Sequence, residues 1–143
     1  MHKFKTPCQR EKLKEIREFI SDVLTDIGFS EIEVHKVVLA VDEVCANLII
    51  HSNKCNPAEN LEIYIEDNKE GTVTFDIVDY GIGFNYNNYK EPNLEEIVRK
   101  RRKGGLGIML VKKIMDSVEF SQEKNKNICR LMKKFDCKNS SSD

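Results

Sequence analysis

Seven glycines occur in this 143-residue chain, and five of them fall into two tight groups. One group lies in Asp79-Tyr80-Gly81-Ile82-Gly83-Phe84, directly after an alternating apolar stretch. The other is Gly104-Gly105-Leu106-Gly107, directly before an apolar stretch with helical spacing. Glycines at a helix start let backbone N–H groups close on an anion, with the helix dipole adding attraction. The second group is therefore a phosphate cradle in principle, although either group alone reads more simply as a loop bracketed by turns. Glu43, Asn47 and His51 are spaced i, i+4, i+8 and form one polar stripe along an otherwise apolar helix. Buried polar groups are costly without a partner, so the stripe calls for one. A carboxylate near a carboxamide oxygen suits a hard cation such as Mg²⁺ carried by phosphates. A carboxylate within reach of a terminal phosphate can also take the proton of an attacking hydroxyl. The run Arg99-Lys100-Arg101-Arg102-Lys103 ends where the second glycine group begins. One or two of these bases, Arg102 or Lys103, can stabilise charge on that phosphate, leaving the others on the surface.

The elements that must hold these residues follow from periodicity. His2 to Thr6 is short enough for an edge strand. Thr6-Pro7-Cys8-Gln9 has the composition of a helix start, and apolar residues at Leu13, Ile16, Ile20, Val23, Leu24 and Ile27 continue it to Gly28. Ser30-Glu31-Ile32-Glu33 is a capping box that launches a more apolar, more buried helix running to about Ile50 or His51. Asn53 to Asn60, with Pro57, is a loop. Leu61, Ile63 and Ile65, then Val73, Phe75 and Ile77, alternate with polar residues across the turn Asp67–Gly71, as in an antiparallel hairpin. Helical spacing returns at Ile108, Leu110, Val111, Ile114 and Met115, and two short strands are predicted at Val118–Ser121 and Ile128–Met132. The order β-α-α-β-β-loop-α-β-β predicts an α+β two-layer sandwich, a mixed and mostly antiparallel sheet with helices on one face. Residues 1–137 form one domain in this reading, and 138–143 a polar tail with nothing to bury.

Composition bounds the function. With 23 basic against 24 acidic residues the net charge is -1, whereas a general nucleic-acid binder carries a basic excess. No stretch approaches the ~18 apolar residues of a membrane span, and the first residues lack a signal-peptide core. The five cysteines match neither a zinc site nor a disulfide framework, which suits a reducing cytoplasm. Neither the P-loop pattern, nor G-x-G-x-x-G between strand and helix, nor the protein-kinase motif set occurs, so nucleotide binding needs another fold.

Taken in order, the three segments resemble the boxes of the GHKL superfamily, the ATP-binding domain of gyrases, heat-shock chaperones, histidine kinases and mismatch-repair ATPases. Glu43-x-x-x-Asn47-x-x-x-His51 is similar to the N box, Asp79-x-Gly81-x-Gly83 to the first glycine box, and Gly104-Gly105-Leu106-Gly107 to the second. Within the superfamily the chain looks most like the anti-sigma-factor serine kinases of the RsbW and SpoIIAB type. The resemblance implies a Bergerat, histidine-kinase-like ATPase fold. Asp79 would receive the adenine amino group, and Gly81 and Gly83 would let the backbone pass close to the base. Asn47 would bind Mg²⁺ and Glu43 would act as general base. The cofactor-binding set would comprise Asn47, His51, Asp79, Gly81, Gly83, Arg102, Lys103, Gly104, Gly105, Leu106 and Gly107, under an ATP lid at 84–103. The implied substrate is a serine of a STAS-type anti-anti-sigma protein, and the implied partners are a sigma factor and a second copy in a homodimer, with no direct nucleic acid and no membrane. An ATP-binding module without kinase activity and a stand-alone histidine-kinase catalytic domain are the alternatives. Two positions depart from the pattern: Lys103 stands where some relatives carry Arg, and Ser52-Asn53 follow His51 in place of a small-then-aromatic pair.

Overall fold

The computed structural model describes residues 1–53, 55–80 and 106–135, with His51, Ser52 and Leu106 described by backbone alone. The expected lid (84–103) and tail (138–143) lie outside the described residues. Strand β1 (His2–Pro7) leads through a 3₁₀ turn (Arg10–Lys12) into helix α1 (Leu13–Ile27) and helix α2 (Glu31–Asn47). A π turn (Leu48–Ser52) extends α2, and strands β2 (Asn60–Asp67) and β3 (Thr72–Asp79) follow. Helix α3 (Leu106–Ile114) and strands β4 (Ser117–Glu123) and β5 (Lys126–Lys134) complete the described chain.

The sheet runs β1-β2-β3-β5-β4, and every pairing among the described residues is antiparallel. Period-2 alternation decides its faces. Leu61, Ile63 and Ile65, with Val73, Phe75 and Ile77, then Cys129 and Leu131, are fully buried toward the helices. On the other face Arg130 grips Asp76, its register partner, through two bonds of 2.7 and 2.9 Å. Helix α2 packs on both α1 and α3, burying Val34, Val37, Ala40, Val41, Val44 and Cys45.

Local signals explain most boundaries. Gly28 adopts φ 115° and closes α1 with bonds to the Leu24 and Thr25 carbonyls. The Ser30 hydroxyl accepts from the Glu33 amide at 3.2 Å, capping α2. Between β2 and β3, Asp67 and Asn68 side chains accept from the amides of Lys69, Glu70 and Thr72, which makes the hairpin turn.

Two expectations are corrected. Thr6 and Pro7 do not start a helix: they pair with Leu61 and Asn60 as the end of β1, and α1 begins only at Leu13. Proline is tolerated there because β1 is an edge strand, and the next amide, Cys8, bonds Glu59 and extends the pairing. Nor does α2 continue as α-helix to His51. It widens after Asn47 into the π turn, where the Asn53 amide reaches back five residues to the Leu48 carbonyl at 2.9 Å. Among the described residues no helix is long and apolar enough to cross a membrane.

Candidate active site

Glu43 and Asn47 sit one turn apart on α2, both half-buried. Their i, i+4 relation holds in α geometry, whereas His51 falls in the π turn, and its side chain is outside the described set. Asp42 and Glu43 face different neighbours. Asp42 accepts from the Arg17 guanidinium of α1 at 3.1 Å. Glu43 lies across the first turn of α3, against Gly107. A Cβ added at Gly107 would land on the Glu43 carboxyl, 2.9 Å from Cδ and 3.3 Å from Cγ. Any side chain there would make the Glu43 carboxyl move aside, so Glu43 and Gly107 form one close contact that the missing Cβ makes room for. Burial, and then the negative charge of Asp42, push the Glu43 carboxyl above its ordinary value of 4.5. A carboxyl raised in this way holds its proton to higher pH than a free glutamate.

Asp79 ends β3, opposite Leu61 on β2 and Asn127 on β5, and is 0% exposed. Its Oδ2 accepts from the Asn53 side-chain amide at 3.0 Å, and the same amide donates to the Leu48 carbonyl at 2.8 Å. Asn53 thus ties the exit of α2 to the end of β3. Sequence reasoning placed Asn53 in a polar loop and missed this role. Its separation of 26 residues from Asp79 leaves no local pattern, and the only signal was its departure from the family's usual pair after His51. Cys8 is buried near this carboxylate: burial, followed by the charge of Asp79, pushes its thiol up to about 12. Cys8, Cys45, Cys55 and Cys129 are free thiols.

Of the predicted site residues, the structure brings Glu43 onto Gly107 and sets Asp79 at the sheet end, joined to the exit of α2 through Asn53. Gly81, Gly83, Arg102, Lys103, Gly104 and Gly105 lie outside the described residues, as does the Leu106 side chain. No group of three or more His, Cys, Asp or Glu side chains forms a metal cage among the described residues. Asn47 has an amide oxygen of the kind a hard cation takes, so it fits an ion carried mainly by phosphates rather than by the protein.

The model of the histidine kinase-like ATPase domain matches residues 6–133. The chain belongs to this family. Among curated relatives of this ATPase domain, the serine-protein kinase RsbW of Bacillus cereus (strain ZK / E33L) is 26% identical over 137 residues, covering 92% of this chain and 82% of its own. The RsbW of Bacillus thuringiensis (strain Al Hakam) is 24% identical over 135 residues with the same coverage. Among solved structures, the SiaB–SiaC complex from Pseudomonas aeruginosa superposes with a TM-score of 0.67 at 14% identity, covering 92% of this chain and 88% of that one. The RsbU and RsbW domains of Rv1364c from Mycobacterium tuberculosis give 0.61 at 11% identity, covering 94% of this chain and 32% of that one. At these identities the structural likeness speaks for the histidine-kinase-like fold.

Proposed function

We propose that this ATPase-family domain is a Mg-ATP-dependent protein serine/threonine kinase. It transfers the γ-phosphoryl group to a serine of a STAS-type anti-anti-sigma protein and acts as an anti-sigma factor in the cytoplasm. The observation that carries the reading is the Glu43–Gly107 contact, which puts a raised-pKa carboxylate against the helix start that the phosphates would occupy. Nucleotide binding alone needs no base at that place, which favours a kinase over a mere ATP-binding module. Relatives named serine-protein kinase RsbW, aligned over 92% of the chain, support the serine-directed reaction over a histidine-kinase role.

In this reading Asp79 accepts the amino group of the base, and Gly107 with its neighbours admits the phosphates close to backbone N–H groups. Asn47 offers its side-chain oxygen to Mg²⁺, which when bound offsets phosphate charge. Glu43 accepts the proton of the serine hydroxyl as its oxygen forms the new bond to the γ-phosphorus. The bond to the β,γ-bridging oxygen breaks, and ADP leaves. A sigma factor and a homodimer belong to the same proposal. The free thiols among the described residues support a reducing compartment.

The test is transfer of radiolabel from γ-labelled ATP to a STAS-type protein in Mg²⁺, with a Ser→Ala acceptor as control. Label on the acceptor that vanishes with its serine supports the proposal. Nucleotide binding with no transfer to any such acceptor contradicts it.

A further inference from the structure

Asn53 is 5% exposed, and two bonds lock it to a single carbonyl. Its backbone N–H donates to the Leu48 carbonyl at 2.9 Å and its side-chain Nδ2 donates to the same oxygen at 2.8 Å. The i→i+5 bond of the π turn brings the Asn53 amide onto that oxygen. The side-chain bond to this oxygen holds the amide in one orientation. Its second amide proton is delivered at one fixed place, the Asp79 Oδ2, at 3.0 Å. Both partners are acceptors, so the nitrogen and not the oxygen of the amide must face them.

The residue type follows from this count. A primary amide carries two protons on one nitrogen and can serve a carbonyl and a carboxylate together. Serine or threonine has one proton, and arginine or lysine would bring a net charge into a buried site. A hydrogen bond to the carboxylate favours its ionised form and fixes its rotation about Cβ–Cγ. A donor group on a ligand thus meets an acceptor already oriented. The Asn53 Oδ1 is itself buried without a hydrogen-bond partner among the described residues, so a second acceptor lies beside the carboxylate.

We propose that Asn53 is the positioning residue that presents Asp79 to the 6-amino group of a purine, and that the Asn53–Asp79 pair sets the preference for 6-aminopurine nucleotides. The inference rests on the reading of Asp79 as the base acceptor in the proposed function. A merely structural clip that closes the π turn would act on every nucleotide alike. A base-positioning residue acts only on those with an amino group.

Titration calorimetry on the full chain in Mg²⁺ separates these cases, using ATP and purine riboside triphosphate, which lacks only the 6-amino group. The wild type is expected to bind ATP about tenfold or more tightly than the analogue, the scale of one hydrogen bond to a charged group. Asn53→Leu is expected to weaken ATP about tenfold and the analogue less than about twofold, so that the preference collapses. Asn53→Ala removes both side-chain donors, cannot overfill the site and provides the same readout if the leucine variant does not fold. A parallel loss for both nucleotides, with the wild-type preference retained, would overturn the positioning role while leaving Asp79 as base acceptor. Equal binding of both nucleotides by the wild type would remove the Asp79 reading and the Asn53 role with it.

Discussion

Asp42 and Glu43 are adjacent carboxylates on one helix, yet they meet different neighbours. Asp42 faces α1 and is held by Arg17 at 3.1 Å, a partly exposed ion pair that ties two helices together. Glu43 faces α3, has no cation beside it among the described residues, and lies against a glycine whose missing side chain makes room for it. The Asp42 carboxylate is engaged by the guanidinium and turned toward α1, away from Gly107. A carboxylate that is partly desolvated and next to a like charge holds a proton more readily. The comparison teaches that position on a helix does not assign chemistry; the element packed against each face does.

The contrast breaks most visibly by removing each charge in turn. Glu43→Gln is expected to lower phosphoryl transfer by about 10²–10⁴ while ATP affinity stays within about threefold, as for loss of a general base. Asp42→Asn should leave transfer within about threefold of wild type and cost about 0.2–1 kcal/mol of stability, the range of exposed ion pairs. Single-turnover kinetics and urea unfolding check the two. Equal kinetic effects would abolish the distinction.

Gly107→Ala tests the contact from the other side. The new methyl must displace the Glu43 carboxyl, and misplacing a catalytic group by about 1 Å costs about 10² in rate. Added to Glu43→Gln, the same change should lower the rate little further, because both remove one function. Full multiplicative loss in the double variant would place the role of Gly107 elsewhere.

A smaller effect lies in the pH profile. Glu43 must be ionised to accept a proton, so transfer should fall as pH drops through a midpoint above 4.5, the ordinary glutamate value. Asp42→Asn removes the like charge that helps raise the carboxyl, and should move that midpoint to lower pH. The smallest effect is on stability. With the folded-state carboxyl raised, the native state binds more protons in the interval above the unfolded value, and stability falls as pH rises through it. Glu43→Gln removes that cost and should unfold at a slightly higher temperature at pH 7, which calorimetric scanning can follow.

Much of this was legible in the sequence because local chemistry carried it. Ser30 and Gly28 bracket their helices through side-chain oxygen and positive φ, and both act within a few residues. The alternation in β2 and β3 told which residues face the helices, and put Asp79 at a strand end. Thr6-Pro7 misled because a capping signature and an edge-strand end share residue types, and only pairing with Leu61 and Asn60, far along the chain, decides between them. The π turn has no periodic signature of its own, so the stripe read as α-helix through His51. The Glu43–Gly107 and Asn53–Asp79 contacts are long-range, and no spacing rule predicts which carboxylate of an adjacent pair turns to which neighbour.

The central claim is that the exit of α2, the end of β3 and the start of α3 enclose one nucleotide. Titrating the wild type and Asp79→Ala with ATP in Mg²⁺ by calorimetry addresses it most directly. The account predicts a saturable one-to-one heat for the wild type that falls at least about tenfold in affinity, or disappears, in the variant. A folded wild type that takes up no ATP, or binds it as tightly once Asp79 is gone, would contradict it.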